Sequence, residues 1–406
     1  MRQGMLLVVG LASVGLLWSA DWPHWLGPAR NGSSPETGLL TTWPAGGPPL
    51  LWKVEGGEGY SSVAVARGRA YTLVQRNDRE LVLCLDADRG RTLWTYEIGP
   101  GFHNEYGSGP RSTPAIDGNR VYVTSVNGPV LCLAADTGQL VWKRDLLQDF
   151  GGKRITWGMS ASPVVEEDLV LVIPGAPGAS VAALNKRDGS TVWKTGDDQA
   201  AYASPSLLFS DGRKIALFFT ASGLQAVDFR TGKPLWQIPW KTDYGCNICT
   251  PLVVGDLVFI GSGEQMGCAV FQVTAHQPRL VWESRGPRSV LKTYWANAVH
   301  KDGYLYGISG EFSGVLNLNC VELKTGKLLW SEPRFGKAAL TLAEGHLFIV
   351  TKTGDLVLAE ANPAGYREKA RVRGLLGDNR TVPTIADGKM FLRDRKHIYC
   401  LDVRSR

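Results

Sequence analysis

Short apolar runs alternate with turn-forming residues along almost the whole chain after residue 50. One unit shows the arrangement in full: a β-branched run after the Ser-Thr-Pro of residues 112–114, an Asp-Gly turn at 117–118, and apolar runs at 121–123, 130–133 and 140–142. Apolar runs of this length bounded by Asp-Gly pairs predict antiparallel strands joined by tight hairpins. Each unit therefore predicts one four-stranded sheet.

The unit repeats, and tryptophan marks the repeat. Tryptophans recur at intervals of 42, 48, 51, 43, 46 and 48 residues, following turns such as the Ala-Asp-Thr-Gly of 135–138, at Trp52, Trp94, Trp142, Trp193, Trp236, Trp282 and Trp330. A period of about 40–50 residues for four strands is typical of a propeller blade, because a sheet this small must pack against its neighbours to bury both faces. We expect each indole, on an outermost strand, to pack across the neighbouring blade.

Counting the starts of innermost strands gives eight blades. These starts are predicted at Ser61, Ser112, Ser162, Ser204, Thr250, Asn297, Leu340 and Thr381. The seventh unit has no tryptophan and places residues 367–373 in that slot, and the eighth unit ends at residue 402 without an outer strand of its own. Residues 51–54 match an outer strand, so the N-terminal segment is predicted to complete the last blade and remove two sheet edges. The fold class predicted is an all-β, eight-bladed β-propeller of four-stranded antiparallel blades over residues 50–406.

The residues before the propeller fall into two parts. Residues 1–20 carry Arg2, an apolar stretch at 5–18 and then Ser19 and Ala20, the order of a secretory signal. Trp18 stands where a small residue is preferred for cleavage, so an uncleaved anchor is the alternative; no other segment is apolar enough to cross a membrane. Residues 21–49 are predicted to form an irregular extension that packs on the outer side or bottom of the propeller through its tryptophans.

Charge and cysteine content narrow the possible partners. There are 44 Lys and Arg against 38 Asp and Glu, with no basic run interleaved with aromatics, so nucleic-acid binding is not expected. We expect a periplasmic or otherwise exported monomer. Four of the seven cysteines occupy the same strand of their repeats and are predicted to be buried. Cys246 and Cys249 form a CxxC pair, for which a local disulfide, two buried thiols and redox chemistry are the alternatives.

The Asp-Thr-Gly-x-x-x-Trp units resemble the pyrroloquinoline-quinone-like (PQQ-like) repeat superfamily. The Trp-Leu-Gly-Pro-x-Arg-Asn-Gly of residues 25–32 and the Gly-Pro-Arg-Ser-Thr-Pro of 109–114 resemble exported members of unassigned activity. The superfamily also includes quinoprotein alcohol and glucose dehydrogenases and the propeller subunit of the outer-membrane protein assembly machinery. The resemblance implies the propeller fold, and it leaves the function open among these groups.

In a propeller, the loops that enter the innermost strands open on the same face as the loops between second and third strands. Polar and aromatic residues in the entering loops are the candidate ligand-binding residues: Tyr60, Arg111, Trp157, Tyr202, Asn247, Trp295, Asn297 and Arg380. A ring of aromatic, amide and guanidinium groups suits a small flat, anionic or sugar-like ligand. The alternative is structural, since Arg111 and the Ser-Pro and Thr-Pro units can satisfy backbone groups within the channel.

Catalytic motifs are absent from the sequence. No Gly-x-Ser-x-Gly, HExxH or phosphate-binding loop occurs. A quinoprotein would need PQQ with calcium, and the resemblance implies a clamp of adjacent cysteines that this chain lacks; Glu264 and Asn297 are the only metal pair suggested. The leading hypothesis is a non-catalytic scaffold that binds an unknown protein partner or a small ligand at the channel mouth. The alternatives are a divergent PQQ-dependent dehydrogenase of alcohols or sugars and a subunit of outer-membrane assembly, for which no lipid-anchoring cysteine follows the signal.

Overall fold

The computed structural model describes residues 20–405, so the predicted signal lies outside the described residues except for Ala20. The strands before the first blade are β1 (Ser33–Ser34) and β2 (Leu50–Glu55). Blade 1 contains β3 (Ala64–Ala66), β4 (Arg69–Arg76), β5 (Arg79–Asp86) and β6 (Thr92–Pro100), and blade 2 contains β7 (Ala115–Asp117), β8 (Arg120–Thr124), β9 (Pro129–Ala134) and β10 (Leu140–Asp145). Blade 3 contains β11 (Val164–Glu166), β12 (Leu169–Val172), β13 (Val181–Asn185) and β14 (Thr191–Thr195). Blade 4 contains β15 (Ser206–Ser210), β16 (Arg213–Thr220), β17 (Gly223–Asp228) and β18 (Pro234–Pro239). A short helix, α1 (Leu146–Phe150), follows β10.

The second half of the chain repeats the same order. Blade 5 contains β19 (Leu252–Val254), β20 (Leu257–Ser262), β21 (Gly267–Val273) and β22 (Pro278–Ser284), and blade 6 contains β23 (Val299–Lys301), β24 (Tyr304–Ser309), β25 (Asn317–Glu322) and β26 (Leu328–Glu332). Blade 7 contains β27 (Ala338–Ala343), β28 (His346–Thr351), β29 (Leu356–Glu360) and β30 (Glu368–Val372). Blade 8 contains β31 (Thr384–Ala386), β32 (Lys389–Arg393) and β33 (His397–Asp402). The innermost strands begin within three residues of the predicted starts. The eight-bladed propeller of four-stranded antiparallel blades is confirmed.

The last blade is completed from the other end of the chain, as predicted. Strand β2 pairs antiparallel with β33, and Trp52 lies opposite Cys400. Arg393 of this blade is fully buried and donates to the backbone carbonyls of Ser61 (3.2 Å) and Gly57 (3.0 Å) in the loop before blade 1. Burial lowers the pKa of Arg393 to about 9. The first and last blades are therefore joined by backbone pairing and by buried hydrogen bonds.

The repeated tryptophans join successive blades. Each of the seven indole N–H groups donates to a backbone carbonyl of the next blade, at 2.7–3.1 Å. Five of the seven rings, all except those of Trp236 and Trp330, also lie on a turn glycine of that blade: a Cβ on Gly138 would come within 2.6 Å of the Trp94 ring. Gly138 has φ +73°, which a side chain would also strain. The predicted packing of each indole across the neighbouring blade is confirmed.

Blade 7 is the exception, since its outer strand has Ala370 opposite Leu358 where other blades have tryptophan. Trp43, from the segment before β2, packs on the hydrophobic cluster shared by blades 7 and 8, with its ring 6.4 Å from that of Phe348. The N-terminal segment thus brings an indole to the junction between blades that lacks one.

The cysteines of residues 20–405 are all buried free thiols. Cys84, Cys132, Cys320 and Cys400 lie on the third strands of their blades, as expected. Cys249 donates to the carbonyls of Thr293 (3.2 Å) and Ala296 (3.0 Å), so the CxxC pair is present as two thiols. No helix within the described part of the chain is long and apolar enough to cross a membrane.

Candidate functional site in the propeller channel

The N-terminal extension crosses the lower end of the channel. Residues 20–40, here called the strap, run along the ends of innermost strands: Trp22 pairs with Val65 of blade 1, and β1 pairs in parallel with β27 of blade 7. Arg30 donates to the carbonyl of Val165 in blade 3 at 2.6 Å. The bottom is one of the two positions predicted for the extension. The strap also reaches into the channel, which the sequence did not predict.

Above the strap lies a cavity of about 780 Å³ that opens at the mouth of the channel. Seven of the eight candidate residues line it: Tyr60, Arg111, Trp157, Tyr202, Trp295, Asn297 and Arg380. Trp25 of the strap lines it from below, and its Nε1–H donates to Thr250 Oγ1 at 3.0 Å. Since this residue comes from the opposite end of the channel to the loop residues, it forms the floor of the cavity.

Asn247, the eighth candidate, lies in the wall. Its side chain is fully buried, and Nδ2 donates to the carbonyls of Thr220 (2.8 Å) and Trp240 (2.9 Å). Its Oδ1 accepts from Ser262 Oγ at 2.7 Å. The Asn247 amide therefore holds the loop before blade 5 in place. It does not line the cavity with the other seven candidates.

One side of the cavity carries cations. Arg380 lies with its guanidinium carbon 4.8 Å from the ring centroid of Tyr60, and Arg111 lies 5.7 Å from the same ring. Arg111 also donates to the carbonyls of Gly109 and Gly107, at 2.5 and 2.7 Å. Burial, aided by the charge of Arg380, lowers the pKa of Arg111 to about 10. Lys337, 4.1 Å from the Phe312 ring centroid, adds a third cation.

The other side carries two carboxylates in different states. Glu311 accepts from the backbone N–H groups of Glu264 (2.6 Å) and Gln265 (3.1 Å) and pairs with Lys292 at 3.0 Å. Glu264 makes no ion pair with a described residue, and its Oε2 is buried without a hydrogen-bond partner among them. The neighbouring Cys246 thiol has its pKa raised, first by burial and then by the Glu264 charge. Of these two carboxylates, Glu264 is the one without an ion-pair partner among the described residues.

A row of aromatic rings passes over the cavity. Ring centroids are 5.6 Å apart for Tyr202 and Trp157, 6.3 Å for Trp157 and Tyr106, 5.6 Å for Tyr106 and Phe312, and 5.9 Å for Phe312 and Tyr294. Tyr106 belongs to the loop before blade 2 and Phe312 to the second-to-third-strand loop of blade 6, so their contact spans the mouth. These two rings, called the lid below, were missed among the candidates although both loops were predicted to surround the mouth.

Glu80 lies behind the cation-bearing side. It is fully buried, accepts from the backbone N–H of Val126 at 3.1 Å and accepts from the hydroxyl of Ser125. Burial raises the pKa of Glu80 to about 7, and the hydrogen bonds and the charge of Arg111 oppose that rise. The hydrogen bonds of this buried carboxyl hold the loop between β8 and β9, and Arg111 acts on it through its charge.

The lining does not fit the calcium-assisted quinone site that the PQQ-like resemblance implies. Such a site needs several oxygen ligands around the ion, carboxylates among them. Of the two lining carboxylates, Glu311 is occupied by Lys292 and backbone donors, and Asn297, the suggested partner of Glu264, donates to the Thr250 carbonyl at 3.5 Å. No group of three or more His, Cys, Asp or Glu within residues 20–405 is placed to hold a metal ion.

Fold and cavity together define an eight-bladed propeller of the PQQ-like repeat class. The model of a family described as outer membrane protein assembly factor BamB matches residues 78–332, more than half of the chain. The chain belongs to that family.

Individual relatives are distant. The outer membrane protein assembly factor BamB of Yersinia pestis is 25% identical over 312 residues, which are 74% of this chain and 75% of that protein. The crystal structure of BamB from Moraxella catarrhalis superposes with a TM-score of 0.64 at 15% identity, covering 87% of this chain and 99% of that one. The crystal structure of quinohemoprotein alcohol dehydrogenase from Comamonas testosteroni superposes with a TM-score of 0.70 at 13% identity, covering 95% of this chain and 80% of that one. The two solved structures show a shared fold and nothing about the activity of this chain.

Proposed function

We propose that this chain is an exported, non-catalytic propeller that binds a small ligand in the cavity at the channel mouth. The observation that carries the proposal is a 780 Å³ cavity with a floor supplied by Trp25 and an aromatic lining that includes Trp157. Its charged groups Arg380 and Glu264 make no ion pair with each other or with another described residue. Charged groups held half-buried without counter-charges gain most from a ligand that supplies them.

The test is calorimetric titration of the mature protein with 8-anilinonaphthalene-1-sulfonate, a flat aromatic anion. We expect saturable binding of one molecule per chain, weakened at least tenfold in Trp157→Ala. Phe209→Ala is the matched control, because that ring is 70% exposed and lies outside the cavity. Binding that is non-saturable, or equal in wild type and Trp157→Ala, contradicts the proposal.

A second probe tests the absence of catalysis. PQQ with calcium is added to the same protein, and oxidation of alcohols and aldoses is followed with an artificial electron acceptor. We expect no turnover, because the lining lacks the ligand set for calcium. Turnover that requires both additions, and is lost in Glu264→Gln, overturns the non-catalytic proposal in favour of a dehydrogenase.

A role in outer membrane protein assembly is the second candidate, and membership of the BamB family favours it. Exposed side chains at the mouth would dock the partner protein: Tyr244 is 73% exposed, Val315 62% and Phe312 46%. The test is affinity purification from cell envelopes after crosslinking. Recovery of an outer membrane assembly component that is lost in Tyr244→Ser, and retained in Phe209→Ser, supports this role; equal recovery with both variants contradicts docking at the mouth.

A further inference from the structure

The two sides of the cavity differ in charge. Arg111, Lys337 and Arg380 stand in the loops that enter blades 2, 7 and 8, and none of the three makes an ion pair with a carboxylate of the described residues. The guanidinium of Arg380 lies over the Tyr60 ring, and the ammonium group of Lys337 lies over the Phe312 ring. Burial and the positive charges of Lys352 and Arg380 lower the pKa of Lys337. This side therefore holds three cations without an ion-pair partner in residues 20–405, on which Glu80 and Asp378 act only through their charge.

Glu264 stands on the far side of the ring. It belongs to the loop between β20 and β21 of blade 5, and in a ring of eight blades the fifth lies opposite the first, next to which Arg380 and Arg111 enter. Its backbone has φ +53°, a conformation that a residue with a side chain rarely adopts. The two backbone N–H groups bonded to Glu311 hold the loop in this conformation. A strained backbone thus places at the cavity lining a carboxylate that has no ion-pair partner among the described residues and whose nearest polar neighbour is the Cys246 thiol.

Tyr294 lies between the two charged sides. Its pKa is raised to about 12, first by burial and then by Cys246, Glu264 and Glu311, while Arg380 acts in the opposite direction. The Tyr294 phenol is therefore close enough to both sides for the carboxylates and Arg380 to shift its pKa in opposite directions. Trp25 below and Trp295 beside it supply apolar surface between the two charged sides.

We propose that the cavity takes a bipolar ring compound, with its acidic group between Arg111, Arg380 and Lys337 and an amino or hydroxyl group donating to Glu264. The ring system lies against the tryptophans between these ends. This inference rests on the proposed ligand-binding function and names the class of ligand. A compound with acid groups alone meets only one side of the cavity, because Glu264 repels a second acid.

Two probes that differ in one amino group test the inference. Naphthalene-1-sulfonate carries only the acid, whereas 5-aminonaphthalene-1-sulfonate adds a hydrogen-bond donor at the far end of the same rings. Titration calorimetry is expected to show that the amino compound binds five- to twentyfold more tightly to the wild type. Glu264→Met is expected to remove that difference without weakening naphthalene-1-sulfonate. Arg380→Met is expected to weaken both compounds at least tenfold.

Matched controls stand on the same face outside the lining. Glu105→Met and Arg288→Met remove exposed charges of the same signs from mouth loops and are expected to leave both affinities within twofold. Thermal melting of each variant checks that it is folded. The bipolar ligand is overturned if the amino compound binds wild type no more tightly than naphthalene-1-sulfonate, or if its tighter binding persists in Glu264→Met. Either result leaves the proposed binding function standing. Failure of both sulfonates to bind folded wild type overturns the binding function with it.

Discussion

The two ends of the channel use their polar groups in different ways. At the lower end, the buried Glu36 of the strap accepts from the backbone N–H of Gly388 at 2.8 Å and from that of Asp387, and Arg30 pairs with Glu166 at 3.3 Å. At the mouth, Arg380 and Glu264 make no ion pair with described residues. Polar groups that are satisfied within the protein stabilise it, and those left for another molecule mark where binding takes place. This difference supports a structural role for the lower end and the proposed ligand site at the mouth.

Removing the anchor of the strap should produce the largest effect. Trp22 is 2% exposed and packs so closely that a Cβ on Gly27 would lie 2.9 Å from its ring. Trp22→Ala is expected to lower the free energy of unfolding by about 3–5 kcal/mol, because it leaves a large cavity in the core. Urea unfolding measures the loss. Tyr244→Ala, at an exposed ring of the mouth, is expected to stay within about 0.5 kcal/mol of wild type.

The result also tests the comparison of the two ends. The folded fraction of Trp22→Ala should bind 8-anilinonaphthalene-1-sulfonate with nearly unchanged affinity, since Trp25 keeps its own bond to Thr250. A loss of stability below about 1 kcal/mol would show that the strap is held weakly. The lower end could then not be described as the structural end.

Glu80, on the mouth side, should give stability an unusual dependence on pH. Its pKa of about 7 lies above the ordinary value of 4.5, so between these values the folded chain binds more protons than the unfolded chain. Stability from this group is complete below about pH 4.5 and is lost as pH rises through 7. Relative to Glu80→Gln, wild type should lose about 1–3 kcal/mol over this window. Urea unfolding at intervals from pH 4.5 to 8 measures it, and parallel profiles for the two proteins would contradict it.

His24, in the strap, should act with the opposite sign. Burial and the charge of Arg30 lower its pKa from 6.5 to about 3, and its Nδ1 is buried without a hydrogen-bond partner among the described residues. Between pH 3 and 6.5 the unfolded chain binds more protons, so stability falls as pH falls. Relative to His24→Gln, wild type is expected to lose about 1 kcal/mol between pH 7 and pH 5, which is discounted for partial exposure. An identical loss in both proteins would assign the acid sensitivity to other groups.

The sequence predicted the fold better than the site. Repeated tryptophans and strand alternation are local patterns, and they were sufficient for eight blades and for the completion of the last blade by β2. The order of strands within a blade also determines which loops reach the mouth, and this brought seven of eight candidates to one cavity. Asn247 differs because nothing local distinguishes an amide that faces a ligand from one that bonds to Thr220 and Trp240.

The remaining features depend on contacts between distant segments. The strap has no repeat to align with, so no pattern indicated that Trp25 would enter the channel from below. The contact between Tyr106 and Phe312 joins loops of blades 2 and 6, and neither loop specifies it alone. Such contacts form because closure of the ring brings together residues about two hundred positions apart. The periodicity of the sequence describes local structure only and does not predict them.

The smallest expected effect concerns the lid and appears in rates. Tyr106 and Phe312 are 42% and 46% exposed, and their ring centroids lie 5.6 Å apart, edge to face. Tyr106→Ser removes this contact but none of the charged groups, so naphthalene-1-sulfonate should bind with affinity within about threefold of wild type. Association and dissociation should both become several-fold faster, because the ligand no longer waits for the rings to separate. Stopped-flow fluorescence measures both rates, with Phe209→Ser as the control. Unchanged rates would mean that the ligand enters beside the two rings. The contact between Tyr106 and Phe312 would then not limit access to the cavity.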